Sequence, residues 1–210
     1  MTILIGDSRV ASIPVRDNGD PLVSLGDLAP TAVGAGGLAR RSLALRLEAA
    51  NDLLPAGIGL RVVEGFRTAS AQQAIIGAYS RRLREERPGL EQAELGRLVS
   101  RYVAPLDNAP HVAGAAVDLT LVDPDGAELW MGSALDATPE ESDGACFTAA
   151  PGLDALAQAH RALLVATLES VGLVNYPTEW WHWSFGDRYW AYVTRAPYAR
   201  YGALTETAAA

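Results

Sequence analysis

The sequence predicts an α+β fold, and three observations point there. Segments with helical and with strand periods both occur, yet they lack the regular strand–helix–strand alternation of a doubly wound sheet. Residues 38–54 and 153–171 carry apolar side chains at three- and four-residue steps, the period of an amphipathic helix. Between two apolar runs, Asp123-Pro124-Asp125-Gly126 reads as a hairpin turn. With 210 residues, 49% of them hydrophobic, the chain can bury one sizeable core, so a single domain over 1–210 is expected.

Taken in order, residues 1–37 are punctuated by Gly, Pro and Asp and read as an irregular N-terminal segment. Short apolar stretches at 2–5 and 22–25 suit edge strands. Over 38–54, Leu43, Leu47, Ala50 and Leu54 form a stripe, with Arg40, Arg41, Arg46 and Glu48 off it. Pro55 and Gly57 stop that helix. Residues 58–66 read as a strand through Leu60, Val62 and Val63, ending in Glu64-Gly65-Phe66-Arg67. Thr68 or Ser70 can cap a helix through Ala74, Ile75, Ala78 and Leu83, which Pro88-Gly89 breaks. A second helix is expected over 90–103. Residues 115–122 read as a strand with Val117, Leu119 and Leu121 on one side, and 127–131 as its hairpin partner.

Residues 132–151 show no period and many acids. A stretch of that length inside a compact domain suits an ordered loop beside a site. The helix over 153–171 closes at Gly172. An aromatic segment from Trp180 to Tyr201 ends the fold, and the Ala-rich tail at 203–210 is expected to fray.

Composition removes several function classes. All seventeen basic residues are arginine, which excludes lysine Schiff bases, lysine-activated serine and the lysine-dependent phosphate loop. A net charge of −8 argues against nucleic acid as a partner. No run of about 18 apolar residues exists to span a membrane. The start Met1-Thr2-Ile3-Leu4-Ile5 has no basic residue and only a short apolar run, so a cytoplasmic enzyme is expected. The lone Cys146 excludes an internal disulfide and a cysteine-cluster metal site.

The chemistry-bearing residues gather in two motifs. His111-Val112-Ala113-Gly114-Ala115-Ala116-Val117-Asp118 and Glu179-Trp180-Trp181-His182 together supply two histidines and two carboxylates. Three such ligands suit a catalytic zinc site, where the remaining position takes water and the metal lowers that water's pKa toward ~7. Asp118 lies in an apolar run, where an ionised side chain is costly unless paired or metal-bound. It could equally face outward from an alternating strand. On a straight strand Glu179 and His182 fall on opposite faces; a bend after Pro177-Thr178 would bring both to one site, with Glu179 as proton carrier. The plain alternative is an aromatic core segment with an incidental Glu and His. Arg67, at a strand end, could stabilise an oxyanion or simply form a surface ion pair. His160, within the helix over 153–171, reads as a structural or surface residue.

These residues together resemble the VanX-type D-alanyl-D-alanine dipeptidases, a branch of the zinc D-Ala-D-Ala metallopeptidases. The likeness runs over about residues 40 to 190. It is carried by His111, Gly114, Ala116 and Asp118, by Asp118-Leu119-Thr120-Leu121, by Glu179-Trp180-Trp181-His182 and by Gly65-Phe66-Arg67. Met131-Gly132-Ser133, with Asp136 three residues on, resembles the family's amine-binding segment. The resemblance implies one zinc ion per chain on His111, Asp118 and His182, Glu179 as general base and acid, and Arg67 on the oxyanion. Asp136 would pair with a free α-ammonium, and Trp180 and Trp181 would fence the substrate. The fold implied is the DD-peptidase/Hedgehog-like one, a mixed, largely antiparallel sheet with helices packed around it and a narrow cavity.

Two positions depart from the family pattern. Its serine two residues before the first histidine is Ala109 here, and its N-terminal tyrosine has no counterpart, the first tyrosine being Tyr79. The expected function is zinc-dependent hydrolysis of a D,D-dipeptide derived from cell-wall peptidoglycan chemistry. The same site on a longer wall precursor, a biosynthetic dipeptidase and a non-catalytic zinc-binding module are the alternatives.

Overall fold

The computed structural model describes residues 2–204. The expected frayed tail therefore lies outside the described residues from 205 on. The centre is a four-stranded sheet in the order β3-β4-β6-β5, from β3 (Gly59–Glu64), β4 (Ala116–Val122), β5 (Val174–Asn175) and β6 (His182–Ser184). Its three ladders are all antiparallel. A separate two-stranded ladder joins β1 (Leu22–Ser24) to β2 (Leu38–Arg40).

The alternation read from the sequence decides which face of β4 meets the core. Val117, Leu119 and Leu121 join Leu60 and Val62 in the main hydrophobic cluster. Against them pack Leu43, Leu47 and Ala50 from α2 (Arg41–Leu53) and Leu164 and Leu168 from α5 (Ala155–Ser170). Asp118 and Thr120, equally buried, point to the opposite face. A core leucine of this kind contributes roughly 1.5–3 kcal/mol by burial, so the register of β4 is firmly held.

On the site side stands a helical pair, α3 (Ala69–Glu86) and α4 (Gln92–Val99), with a small core of its own. Tyr79, Leu83, Leu95, Leu98, Val99 and Val103 form it. Thr68 caps α3 through its side-chain oxygen, which accepts from the Ala71 N–H. Asp154 caps α5 in the same way. The chain closes with α6 (Arg188–Thr194), capped by Asp187, against the short N-terminal α1 (Ser8–Ala11).

Three elements differ from expectation. Residues 2–5 form no strand; Ile5 is buried with Val10, Tyr176 and Tyr189. Residues 38–40 are strand because Arg40 is held by tertiary bonds, its N–H to Gly114 O and its guanidinium to Ala113 O, Asp20 O and Asp17. The hairpin partner at 127–131 shrinks to a bridge at Glu128 and one bond from Leu129 N–H to Leu121 O. Beyond that point the chain is drawn inward, where the buried Arg161 takes the carbonyl of Met131.

Candidate metal centre and active-site cavity

Pairing across the central sheet assembles the site. Glu64 lies opposite Asp118 on β3 and β4, and Asp118 lies opposite His182 on β4 and β6, so the three form a row across three strands. His111 reaches them from a tight turn, His111–Ala113, that ends at Gly114 with φ +64°. A side chain is strained in this left-handed position and its Cβ would press on the Leu22 side chain, both of which favour glycine. Glu179 arrives through the bend expected from the sequence. The connection from β5 to β6 folds on itself, with Glu179 N–H donating to Tyr176 O and Asn175 Nδ2 donating to the carbonyls of Glu179 and His182. Glu179 and His182 thereby share one side, Oε2 and Nδ1 standing 3.8 Å apart.

His111, Asp118 and His182 converge on one point, all buried. His111 Nε2 is 3.1 Å from His182 Nδ1 and 3.3 Å from Asp118 Oδ2, and His182 Nδ1 is 3.0 Å from Asp118 Oδ1. Tetrahedral zinc with bonds of ~2.0–2.1 Å has ligand–ligand edges of about 3.3–3.4 Å, so the three donors stand near the spacing of one coordination face. The second bond made by His111 fixes its tautomer. Nδ1–H donates to Gly65 O at 2.7 Å, which leaves Nε2 as a lone-pair donor facing Asp118 and His182. Glu179 Oε1 is buried with no hydrogen-bond partner among the described residues, a costly state for a carboxylate that has no chemical task. The residues fit a zinc ion.

Burial by itself raises the pKa of Asp118, but the two imidazoles against it outweigh burial and hold its carboxyl far below the ordinary range. Burial raises Glu179 well above a normal glutamate, and the like charges of Asp118 and Asp136 add to it. Burial lowers His182, while in His111 the Asp118 carboxylate overcomes burial and raises it. Such divergence among neighbouring carboxylates is the pattern of an acid–base site.

A cavity of about 180 Å³ opens on this cluster, lined by His111, Asp118, Glu179 and His182 together with Arg67, Asp136 and Trp181. That is small beside the ~300–1,000 Å³ of drug-sized pockets and suits a compact ligand. Arg67 forms part of its wall, its Nε donating to Glu64 at 2.7 Å and Nη1 to Gln72 at 2.8 Å, with Nη2 3.9 Å from Asp118. Asp136 is exposed at the rim. Partial desolvation, with the charges of Asp118 and Glu64 across the cavity, pushes its carboxyl up to about 7.

The structure places one expected cavity residue elsewhere. Trp180 does not line the cavity: it is buried in the core, its indole N–H donating to Ser133 Oγ at 2.9 Å. Its neighbour Trp181 takes the cavity side because successive residues of the bend point opposite ways. His160 Nδ1–H donates to the Trp130 carbonyl at 2.8 Å, and the residue stays outside the cavity, the structural role expected of it. Sequence reasoning missed Glu64, Gln72, Tyr102, Tyr176 and Ile5, all lining residues. Glu64 had a signal, an acid three residues before Arg67 at the strand end. Ile5 had none, because only the tertiary fold brings the N-terminus there.

The family model described as D-Ala-D-Ala dipeptidase matches residues 34–200. The chain belongs to this peptidase family. Of the site residues discussed above, all but Ile5 fall inside the matched span. Two curated relatives are D-alanyl-D-alanine dipeptidases. The one from Synechocystis sp. is 35% identical over 95 residues, 42% of this chain but 38% of its own length. The one from Enterococcus faecalis is 34% identical over 151 residues, 70% of this chain and 71% of its own. Among solved structures, a zinc complex of a variant vancomycin-resistance D,D-pentapeptidase superposes with a TM-score of 0.51. It is 16% identical, covering 91% of this chain and 92% of that one, a likeness of fold. The antiparallel sheet with helices packed around it is thus the expected architecture, realised with wholly antiparallel ladders. This metallopeptidase family member has no helix, among its described residues, long and apolar enough to cross a membrane.

Proposed function

We propose that the chain, acting as one domain, hydrolyses a D,D-dipeptide such as D-alanyl-D-alanine with one zinc ion on His111, Asp118 and His182. The single observation that carries this reading is the buried carboxylate of Glu179, its Oε1 without a hydrogen-bond partner among the described residues, beside a convergent His–Asp–His trio. When bound, zinc supplies Lewis acidity, polarising a carbonyl and lowering the pKa of a water toward ~7. Glu179 takes the proton from the attacking water, its basicity raised by burial, and returns it to the departing amine. Arg67 presents a fixed positive charge to the developing oxyanion, its fork held in place by Glu64 and Gln72. Asp136 at the rim receives the free α-ammonium, which selects a dipeptide over a longer chain. Trp181 bounds the cavity and helps exclude water. The activity of the D-alanyl-D-alanine dipeptidase relatives supports the dipeptide as substrate, and the cavity's size supports a small one.

The test is a panel of alanine dipeptides in all four stereochemical combinations, with larger side chains and blocked amines, assayed with zinc supplied. Turnover of free D-Ala-D-Ala that is lost in Glu179→Ala supports the proposal. Zinc binding with no turnover of any member would sink it.

A further inference from the structure

Asp136 has an unusual backbone and a single tether. Its φ is +61°, in the left-handed region that side chains other than Gly seldom occupy. Among the described residues its sole hydrogen bond is through its carbonyl, which accepts from the Tyr102 hydroxyl at 3.1 Å. Tyr102 follows α4 on the helical pair and itself lines the cavity.

The rest of the loop that carries Asp136 is held independently. Buried Arg161 on α5 clamps its base, donating to four carbonyls: Met131 at 2.6 Å, Ala145 at 2.7 Å, Phe147 at 2.6 Å and Thr148 at 3.2 Å. Trp180 adds a bond to Ser133. Farther along, Tyr79 of α3 donates to Glu140 at 2.7 Å, and the Tyr79 and Tyr102 rings touch with centroids 4.9 Å apart. Both stems and the far side are therefore pinned to the body of the protein. In the turn itself Leu135 packs on the main core, and the one hydrogen bond that fixes Asp136 comes from the Tyr102 hydroxyl.

We propose that Tyr102 is a positioning residue that sets substrate selectivity, holding the Asp136 turn so that its carboxylate meets the free amine of a dipeptide. The inference rests on the proposed amine-binding role of Asp136. Loss of the hydroxyl leaves the ring packed on Tyr79 but frees the turn to leave its strained conformation. Binding of the amine then has to reorder it, so the effect falls on recognition rather than on the proton transfers around Glu179.

Tyr102→Phe tests this, with Asp136→Ala and the double variant beside it. For Tyr102→Phe the KM for free D-Ala-D-Ala should rise about five- to tenfold, the worth of one hydrogen bond, with kcat within about twofold. The preference for free over N-acetylated dipeptide should fall by the same factor. Adding Tyr102→Phe to Asp136→Ala should change nothing further, since the two act as one unit. Unchanged KM and preference in Tyr102→Phe, with Asp136→Ala impaired, would overturn the role of Tyr102. So would a fall in kcat at constant KM, which would put the hydroxyl on the reacting groups. An Asp136→Ala variant that keeps the preference for a free amine would overturn the amine-binding reading itself. Thermal unfolding of each variant separates these effects from a general loss of fold, which would lower the melting temperature and kcat together.

Discussion

Asp118 and His182 stand opposite each other on adjacent antiparallel strands, with carboxylate and imidazole 3.0 Å apart. Residues 64 positions apart in the chain are thus fixed to each other by strand register, and a one-residue slip would turn Asp118 into the hydrophobic core. His111, delivered by its glycine-ended turn, completes the trio on the same face.

Zinc should therefore bind once per chain and stabilise the fold. At a free concentration about a hundredfold above Kd, linkage gives ~2.7 kcal/mol, a rise in melting temperature of roughly 5–10 °C for a chain of this size. His182→Ala and Asp118→Ala should each abolish that shift. An undiminished shift in either variant would show that the metal lies elsewhere.

Glu179 makes a pH-dependent prediction for the metal-free protein. Burial, with Asp118 and Asp136, raises its folded pKa above the unfolded value of 4.5. A raised folded pKa means that stability is full below about pH 4.5 and is lost as pH climbs toward the folded value. Glu179→Gln carries no such penalty, so its melting temperature should match the unsubstituted protein near pH 4 and exceed it increasingly from pH 5 to 8. Melting curves that stay parallel across that range would contradict a Glu179 carboxyl whose pKa is raised by burial. With zinc supplied, the same variant should lose about 10²–10⁴ in kcat.

Arg67 is held as a fork by Glu64 and Gln72. Arg67→Lys keeps the charge but cannot keep that geometry. We expect kcat to fall about a hundredfold or more with KM nearly unchanged, in line with loss of an oxyanion donor. Steady-state kinetics on the preferred dipeptide decide it; an unaltered kcat would reduce Arg67 to a partner for Glu64.

Gly65 supplies the carbonyl that orients His111, at 2.7 Å. In Gly65→Ala the new Cβ would strike the Leu38 carbonyl and lie 3.0 Å from that of Gly36, both backbone atoms with little freedom to yield. Zinc affinity should drop about 10–100-fold as the imidazole loses its support. Competitive titration against a chromophoric chelator would reveal it, and an unchanged affinity would show that His111 is oriented by its turn alone.

Much of this was legible in the residues themselves. The alternation of Val117, Leu119 and Leu121 placed Asp118 on the other face of its strand, and Pro177 marked the bend that unites Glu179 with His182. The helices of 41–53 and 155–170 followed from their apolar stripes and stop signals. These are local matters, governed by period and by the conformational limits of Gly and Pro.

What the sequence determined by itself was the inventory of chemistry: two histidines and two carboxylates in short motifs, an arginine at a strand end, and an acid-rich loop. What only the tertiary structure decided was their company. Trp180 went to the core while Trp181 faced the cavity, Glu64 took the guanidinium of Arg67, and Ile5 and Tyr102 reached the site from distant segments. Periodicity sets which side of its own element a residue faces. Packing between elements sets what it meets there, and no local pattern in a chain records the contacts of residues a hundred positions away.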